Sequence, residues 1–232
     1  MRACLPLMVS LLAMQPLQAR DGVILLHGLA RSSRSLLPME HALSEAGYMV
    51  VNVNYPSRKQ EIATLAEQYI GQALAQAQLA GCTRIHFVTH SMGGLLVRYY
   101  LANHEIAVLG RVVMLGPPNQ GSELIDRARH WKLFKAITGP AGPEMGTDKG
   151  SLPAALGPVN FDLGVIAGDR SLNWINSLFI PGPDDGKVSV ERTKIEGMRT
   201  HVLVHTTHPT IMRNRRVIEF VRTFLRTGRF EN

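Results

Sequence analysis

The stretch Arg84-Ile85-His86-Phe87-Val88-Thr89-His90-Ser91-Met92-Gly93-Gly94-Leu95-Leu96-Val97-Arg98 carries the strongest fold signal in the chain. Apolar, β-prone residues over 85–88 predict a buried strand, and apolar residues at helical spacing after the glycines predict a helix. Ser91 therefore falls at a sharp turn between a strand and a helix. A helix that starts so close to a strand packs backbone against backbone, so Gly93 and Gly94 are expected where a side chain would clash.

The turn matches a nucleophile elbow, in which a strained strand-to-helix turn exposes a serine hydroxyl at the edge of a sheet. The elbow pattern is Gly-x-Ser-x-Gly, and Thr89 departs from it at a position that needs a small residue. Ser-x-Gly alone is a weak signal, because both residues are common in turns. The interpretation of Ser91 as a nucleophile therefore depends on the rest of the chain.

Strands and helices alternate along the chain. Strands are predicted over 21–29, 48–53, 85–88, 111–116, 161–168 and 200–204, and helices after Ser91 and over 36–47, 62–80, 122–137 and 211–225. This alternation gives βαβ units, so the expected fold class is α/β, with a mostly parallel central sheet and helices on both faces. The length, with no internal repeat or linker, predicts a single domain over 20–232.

Residues 1–19 have a different composition. Arg2 precedes an apolar run without an acidic residue, and the stretch ends in a small residue, Ala19. This pattern is typical of a secretory signal peptide, which predicts an exported protein, periplasmic or secreted. Leu17 suits the cleavage site poorly, so an uncleaved N-terminus that keeps the protein at a membrane is the alternative. Cleavage would leave Cys82 without an intramolecular disulfide partner.

The chain is basic, with 25 Lys and Arg against 18 Asp and Glu and a net charge of +7. Such a charge suits peripheral contact with an anionic membrane surface, and it serves solubility equally well. The sequence has no nucleic-acid-binding motif and no basic run interleaved with aromatic residues, so no nucleic-acid partner is predicted.

The first predicted strand ends in His27-Gly28-Leu29. Gly28 lets the chain turn away, so that the amide of Leu29 can point at a substrate oxygen as one half of an oxyanion hole. We expect His27 to be a packed histidine that hydrogen-bonds this loop, and not an acid–base group.

Residues 120–160 are the candidate lid or cap. An apolar stripe with basic flanks over 122–137 is typical of a lid or a membrane-contact helix. The favoured interpretation is an ordinary surface helix packed on the sheet. Glycine and proline over 139–158 break helical and strand patterns alike, which predicts a long excursion near the mouth of the site.

Acyl transfer by a serine needs a base that takes the hydroxyl proton and a carboxylate that orients the base. Ser91, Asp185 and His208 occur in that order, each in a predicted loop after a strand. His208 is preferred to His205 and His201 because it lies furthest past the last strand. His-x-x-His could bind a metal, but no third ligand is nearby, so neither a metal nor an organic cofactor is predicted.

These pieces together resemble small serine esterases and lipases of the α/β-hydrolase superfamily, on the side of the compact class 2 bacterial lipases and the inositol-deacylase-like hydrolases. The matching segments are 26–29, 90–94 and 185–188, with His208, so the resemblance spans essentially the whole chain after residue 20.

The resemblance implies that Ser91 is the nucleophile, His208 the general base and then acid, and Asp185 the orienting carboxylate. It also implies that the amides of Leu29 and Met92 form the oxyanion hole. Asp185 is preferred to its neighbour Asp184, because in this family the acid directly precedes the glycine; Asp184 is then a solvated or loop-capping residue.

The function expected from this resemblance is that of a serine carboxylic-ester hydrolase acting on lipid or acyl-ester substrates through an acyl-enzyme. One alternative is an acyltransferase, thioesterase or amidase that uses the same triad. Another is a non-catalytic hydrolase fold that binds a ligand or partner, which would be expected to have lost a member of the triad.

Overall fold

The computed structural model describes residues 20–172 and 177–231, and the predicted signal peptide lies outside the described residues. At its centre is a six-stranded sheet in which every pair of neighbouring strands is parallel. The strands are β1 (Arg20–Leu26), β2 (Met49–Val53), β3 (Cys82–His90), β4 (Leu109–Leu115), β5 (Leu163–Gly168) and β6 (Thr200–Val204). Their order across the sheet is β2-β1-β3-β4-β5-β6, which confirms the predicted α/β class.

Helices flank the sheet. They are α1 (Leu37–Glu45), α2 (Ile62–Leu65), α3 (Gly71–Leu79), α4 (Met92–Asn103), α5 (Glu123–Ala128), α6 (Lys132–Thr138), α7 (Leu152–Ala155), α8 (Val190–Thr193) and α9 (Arg215–Thr227). A π-helical segment, Ala66–Ile70, joins α2 to α3, so the helix predicted over 62–80 is continuous but not uniform. Within the described ranges, no helix is long and apolar enough to cross a membrane.

The strands are apolar on both faces, as expected for a parallel sheet covered on both sides. In β1, Ile24 and Leu26 belong to the core beneath α2, α3 and α4, whereas Val23 and Leu25 belong to the core beneath α1 and α9. Alternate residues of one strand thus belong to two separate cores on opposite faces of the sheet. The central strands are held in place by packing on both faces.

The register brings the strand ends together. Leu26 pairs with Thr89, His90 with Leu115, and Leu115 with Ile166. We call this end of the sheet the carboxyl edge and the opposite end the amino edge. Because all the strands are parallel, the loops that follow β1, β3, β4, β5 and β6 meet at the carboxyl edge, where open α/β sheets place their ligands.

The single helix predicted over 122–137 is wrong. The chain forms α5 and α6 instead, and Trp131 between them is extended, with φ −77° and ψ 128°. Asp126 on α5 accepts hydrogen bonds from the amide and hydroxyl of Thr147. Beyond α6, Gly139 packs against the backbone of Arg58. These two attachments hold the segment at both ends, and a straight helix would not satisfy both.

This segment packs on the domain only in part. Ile125 of α5 is partly buried against the core beneath α4, but no residue of α5 is fully buried, and in α6 only Thr138 is. The apolar residues Trp131, Leu133 and Ile137 are exposed.

The segment 139–158 is more ordered than its composition predicts. It contains a 3₁₀ turn, Pro143–Met145, and the short helix α7, each with proline at its start, where the missing N–H costs nothing. Ala141 and Met145 are buried in the core beneath α4. The excursion is therefore packed onto the domain.

The last helix begins later than predicted. A 3₁₀ turn, Ile211–Arg213, precedes α9, and Asn214 separates the two. The side-chain oxygen of Asn214 accepts from the amides of Arg216 and Val217, so Asn214 is the N-cap that starts the helix.

Candidate active site

Ser91 lies between the last residue of β3 and the first residue of α4, as its sequence environment predicts. Its φ is +53° and its ψ −123°, a conformation that costs a non-glycine residue about 1–3 kcal/mol. Its amide donates to the carbonyl of Leu115 at 2.9 Å, which anchors the turn to β4. Among the described residues, Ser91 and Ala30 are the two non-glycine residues with positive φ, and both lie at the carboxyl edge.

The glycines that follow have the predicted role. A Cβ on Gly93 would come within 2.6 Å of the carbonyl oxygen of Leu26, so only glycine lets α4 start against β1. Thr89, the departure from the elbow pattern, is fully buried. A Cβ on Gly94 would lie 3.4 Å from the Thr89 hydroxyl, so the second glycine leaves the space that the larger residue occupies.

Asp185 and His208 are joined by a buried hydrogen bond. His208 Nδ1 lies 2.7 Å from Asp185 Oδ2, and the His208 amide donates to the Asp185 carbonyl at 2.8 Å. The second carboxylate oxygen accepts from the amides of Lys187 and Val188 at 3.0 and 2.9 Å. An ionised carboxylate only accepts, so His208 carries its proton on Nδ1 and presents a lone pair on Nε2.

The neighbouring candidates have other partners. The carboxylate of Asp184 accepts from the Gly186 amide at 2.7 Å, so this buried side chain caps the loop. His205 is largely exposed and pairs with Asp169 at 2.9 Å. His201 lies on β6, with Nε2 2.9 Å from the Thr193 hydroxyl. None of these three is joined to Ser91 or His208 by a hydrogen bond among residues 20–172 and 177–231.

Sequence reasoning missed His90, the residue before Ser91, which contacts His208. Its Nε2 donates to the His208 carbonyl at 3.1 Å, and the two rings are 4.8 Å apart. Within the described chain its Nδ1 has no hydrogen-bond partner. Burial lowers the pKa of His90 well below its usual value, so the ring is neutral at neutral pH.

Gly116, another residue that sequence reasoning missed, lies beneath the Asp185–His208 pair. It follows Leu115, which anchors Ser91, and has φ +53°. A Cβ at this position would lie 3.0 Å from Asp185 Oδ2 and 3.3 Å from His208 Nδ1. Through Gly116 and His90, the loops after β3, β4 and β6 come into contact around Ser91. Among the described residues no hydrogen bond joins the Ser91 hydroxyl to His208, an open arrangement that is common before substrate binds.

The backbone N–H groups of Leu29 and Met92 donate no hydrogen bond within the part of the chain that the structure describes. Met92 is the first residue of α4, where the orphan N–H groups and the helix dipole favour a negative charge. Gly28 allows the Leu29 loop to approach, since a Cβ there would lie 3.0 Å from that of Ser91.

The Leu29 loop is held from below by His27. Tyr55 donates its amide to His27 Nε2 at 3.3 Å, so Nδ1 carries the proton and donates to the Gly28 carbonyl at 2.9 Å. The ring stacks on Tyr55 with centroids 4.0 Å apart, and burial lowers its pKa. His27 thus has the loop-holding role that its position in the sequence predicts. The hydroxyl of Ser57, missed from sequence, accepts from the Ala30 amide at 3.1 Å and holds the far side of the loop.

Arg98, also missed from sequence, fixes the walls of the site. This buried side chain on α4 donates to the carbonyls of Asn119, Pro153 and Gly157 at 2.8, 3.0 and 2.8 Å. Burial lowers its pKa to about 10. The loop after β4 and the excursion are thereby tied to the helix that carries the elbow.

No group of three or more His, Cys, Asp or Glu side chains in the described ranges is arranged to hold a metal ion. The arrangement at the carboxyl edge consists of a strained serine, a buried Asp–His pair and two free amides. This set can stabilise an oxyanion and move a proton.

Comparison with known proteins gives a consistent result. The chain matches the family model described as "Alpha/beta hydrolase family" over residues 23–220. No curated protein matches it.

Several solved structures share the fold. The mature form of lipase BlEst2 from Bacillus licheniformis is 18% identical, with a TM-score of 0.74 over 90% of this chain and 93% of that one. The esterase EaEST from Exiguobacterium antarcticum is 16% identical, with a TM-score of 0.61 over 90% and 92%. The phospholipase PlaB from Legionella pneumophila is 19% identical, with a TM-score of 0.59 over 75% of this chain and 44% of that one.

At these identities the structural likeness shows the fold alone, and the family follows from the family model, which covers most of the described sheet. The chain belongs to the alpha/beta hydrolase family.

Proposed function

We propose that this protein is a serine hydrolase that cleaves carboxylic esters of acyl or lipid substrates. Ser91 is the nucleophile, His208 the general base and then acid, and Asp185 the carboxylate that orients His208. The observation that carries the proposal is the buried hydrogen bond between Asp185 and His208, at the same edge of the sheet as a serine held at φ +53°. A purely structural Asp–His pair has no need of a strained serine at the same edge.

The first half of the proposed reaction forms an acyl-enzyme. The Ser91 oxygen attacks the ester carbonyl carbon while His208 Nε2 takes the hydroxyl proton. The imidazolium that results is stabilised by Asp185, whose two oxygens already accept from His208 and from two loop amides. His208 then gives the proton to the departing alcohol, and the acyl group remains on Ser91. In the second half, water attacks with His208 again as base.

The amides of Leu29 and Met92 are the proposed oxyanion donors. Each tetrahedral intermediate carries a negative charge on the former carbonyl oxygen, and two fixed N–H groups stabilise that charge without reorganising. Losing one such donor typically costs about a hundredfold or more in kcat. The bonds that hold His27 and Ser57 to this loop therefore bear on catalysis through its position.

The names of the structural neighbours favour an ester substrate. BlEst2 is described as a lipase, EaEST as an esterase and PlaB as a phospholipase. Export is part of the same proposal, because residues 1–19 have the composition of a signal peptide. The N-terminal sequence of the protein recovered from outside the cytoplasm checks it, since cleavage predicts a first residue at Arg20.

The test is hydrolysis of p-nitrophenyl esters from acetyl to palmitoyl by the wild type, Ser91→Ala and Ser44→Ala. Ser44 is an exposed serine near the end of α1 and serves as the matched control. We expect the wild type and Ser44→Ala to turn over alike, and Ser91→Ala to lose at least about a hundredfold in kcat. Equal rates in the wild type and Ser91→Ala would reject the proposed nucleophile. Labelling of Ser91 by a fluorophosphonate without ester hydrolysis would point to acyl transfer, or to amide or thioester cleavage, by the same residues.

A further inference from the structure

Exposed apolar side chains are concentrated on one part of the surface. Within the described ranges, six of the nine large exposed hydrophobic residues come from two segments: Trp131, Leu133, Ile137, Leu172, Leu178 and Phe179. Single exposed apolar residues are ordinary, whereas a cluster of them marks an interaction site. The two segments follow β4 and β5, which are neighbours in the sheet, and the guanidinium of Arg127 on α5 lies 4.1 Å from the Phe179 ring.

We call Trp131, Leu133 and Ile137 the apolar face of α6. They are 65%, 71% and 49% exposed. Leu133 and Ile137 are four residues apart and therefore lie on the same side of the helix. Covering an exposed apolar side chain lowers the free energy, so this face would be stabilised by a partner that the isolated domain does not supply.

The segment that carries the apolar face is attached at both ends to loops of the candidate active site. Before α5, the Ser122 hydroxyl donates to the carbonyl of Lys187, in the loop that carries Asp185. After α6, Gly139 packs against Arg58, next to Ser57, which holds the Leu29 loop. The segment from α5 to α6 thus connects the two loops that flank Ser91.

The charges on this segment are sorted. Its carboxylates bind other parts of the domain: Glu123 pairs with Arg192 at 2.7 Å, and Asp126 binds Thr147. The cations Lys132 and Lys135 on α6 are exposed and form no ion pair with any described residue. The helix sequence Lys132–Thr138 contains no acidic residue. On α6 itself, the charges beside the apolar face are therefore positive.

We propose that the apolar face of α6 docks on an anionic lipid surface, with its apolar side chains at the boundary between head groups and acyl chains and Lys132 and Lys135 against the lipid phosphates. A short helix with one apolar side, lysines and a tryptophan has the composition of an interfacial anchor. The proposal names the physical form of the substrate, and in that respect it rests on the proposed ester hydrolysis. Docking itself needs no reaction at Ser91.

The direct test uses the fluorescence of Trp131 in the full-length protein. The chain has two tryptophans, so Trp174→Phe leaves Trp131 as the single reporter. We expect its emission to shift to shorter wavelength, and to be quenched by brominated acyl chains, when vesicles contain phosphatidylglycerol but not when they contain phosphatidylcholine alone. Emission that does not change with anionic vesicles overturns the proposal. If the Trp131 emission is already at shorter wavelength without lipid and varies with protein concentration, the occupant of this face is a second copy of the chain and the lipid proposal is overturned.

A pair of leucine substitutions tests the apolar contribution. Leu133→Ser removes an apolar side chain from the face, and Leu79→Ser removes a leucine that is even more exposed, at the end of α3 on the amino edge. Burying a leucine stabilises by enough that we expect Leu133→Ser to weaken vesicle binding about tenfold. Leu79→Ser should leave it unchanged, and an equal loss in both variants would reject this face.

Two double substitutions test the charge. Lys132→Gln with Lys135→Gln should weaken binding to phosphatidylglycerol vesicles about thirtyfold, from about fivefold per lysine. Arg226→Gln with Arg229→Gln removes the same charge near the end of α9, where the Leu225 carbonyl accepts from Arg111 at the amino edge, and should have little effect. Equal losses in the two double variants would mean that net charge, and not this face, drives binding.

Ser91→Ala separates the docking proposal from the proposed function. We expect Ser91→Ala to bind vesicles as the wild type does. The apolar-face variants should keep the wild-type rate on a soluble ester and lose activity only on esters carried in anionic vesicles. Vesicle binding without any ester hydrolysis would leave docking in place and reject the proposed function, whereas hydrolysis without binding would do the reverse.

Discussion

Replacing Gly116 by alanine should lower both stability and activity, and a matched glycine substitution can separate the two effects. Gly116 has no side chain, and its backbone lies directly beneath the Asp185–His208 pair. Its φ of +53° is in the left-handed region, and the space above it is taken by Asp185 Oδ2 and His208 Nδ1. Alanine therefore brings two costs, one in the backbone and one in the site.

The two costs have different sizes and different consequences. The left-handed backbone costs an alanine about 1–2 kcal/mol, which lowers the free energy of unfolding. The new methyl group would lie 3.0 Å from the carboxylate oxygen and 3.3 Å from the histidine nitrogen, so one of these must move by a few tenths of an ångström. Because misplacement of a catalytic group by about 1 Å can cost about a hundredfold in rate, we expect kcat to fall between about tenfold and a hundredfold.

The assay compares Gly116→Ala with Gly47→Ala. Gly47 has φ +92° and lies before β2 on the amino edge, where a new methyl group would have no neighbouring atom within 4 Å. Gly47→Ala therefore has the cost of a left-handed backbone but makes no contact like the one between Gly116→Ala and the Asp185–His208 pair. Urea denaturation should show a loss of stability of about 1–2 kcal/mol in both variants. Ester hydrolysis under conditions where both are folded should fall only in Gly116→Ala.

Two results would refute this reasoning. If Gly116→Ala is destabilised but keeps kcat within about threefold, then the Asp185–His208 pair tolerates displacement and its geometry does not limit the reaction. If Gly47→Ala loses as much activity as Gly116→Ala, then the loss follows from general destabilisation and not from the contact beneath the pair.

Three further substitutions bear on groups around the site. The pKa of His90 in the folded protein lies below the unfolded value of 6.5, so the unfolded chain binds more protons at low pH. In urea denaturation, the stability of the wild type should therefore fall below pH 6.5, by up to about 1.4 kcal/mol per pH unit from this group. In His90→Gln it should fall less steeply. Arg98 reaches its three carbonyls with two separate nitrogens, and the single ammonium nitrogen of Arg98→Lys cannot reach all three, so this substitution should cost about 2–4 kcal/mol of stability by the same measurement. Ser57→Ala frees the Ala30 amide, and should lower kcat about tenfold with KM unchanged, because the Leu29 loop loses its outer support.

The strand, turn and helix around Ser91 could be predicted because their causes are local. The apolar run before Ser91 and the glycines after it each act within one turn of the chain. The same holds for the parallel sheet, whose strands are apolar on both faces. Local patterns of this kind survive in the sequence as periodicity.

The break between α5 and α6 could not be predicted from periodicity. The apolar spacing over 122–137 suits one helix, but Asp126 binds Thr147 and Gly139 packs against Arg58. These contacts are made with residues distant in sequence, and they override a helical pattern that is weak in a short segment.

The residues that meet at the candidate site could be named from the sequence, whereas the groups packed around them could not. The order of Ser91, Asp185 and His208 is visible in the sequence, and the family resemblance ranks Asp185 above its neighbour. His90 donates to the carbonyl of His208, and Gly116 leaves room for the Asp185–His208 pair because it has no side chain. Neither effect can be recognised as a sequence motif. Their positions beside the triad depend on the register of β3 and β4.

The three carbonyls that Arg98 holds belong to the loop after β4 and to the two ends of α7. Arg98 is buried and forms no ion pair with any described carboxylate, so opening of either segment removes carbonyl partners from a buried guanidinium. We therefore expect α7 and α4 to open as one cooperative unit. In amide hydrogen exchange, the N–H groups of Ala155 and Leu156, which donate within this segment, should be protected to the same free energy as the middle of α4. On that reasoning, the α7 segment beside the candidate site is as rigid as α4, and we expect it to select substrates by their shape.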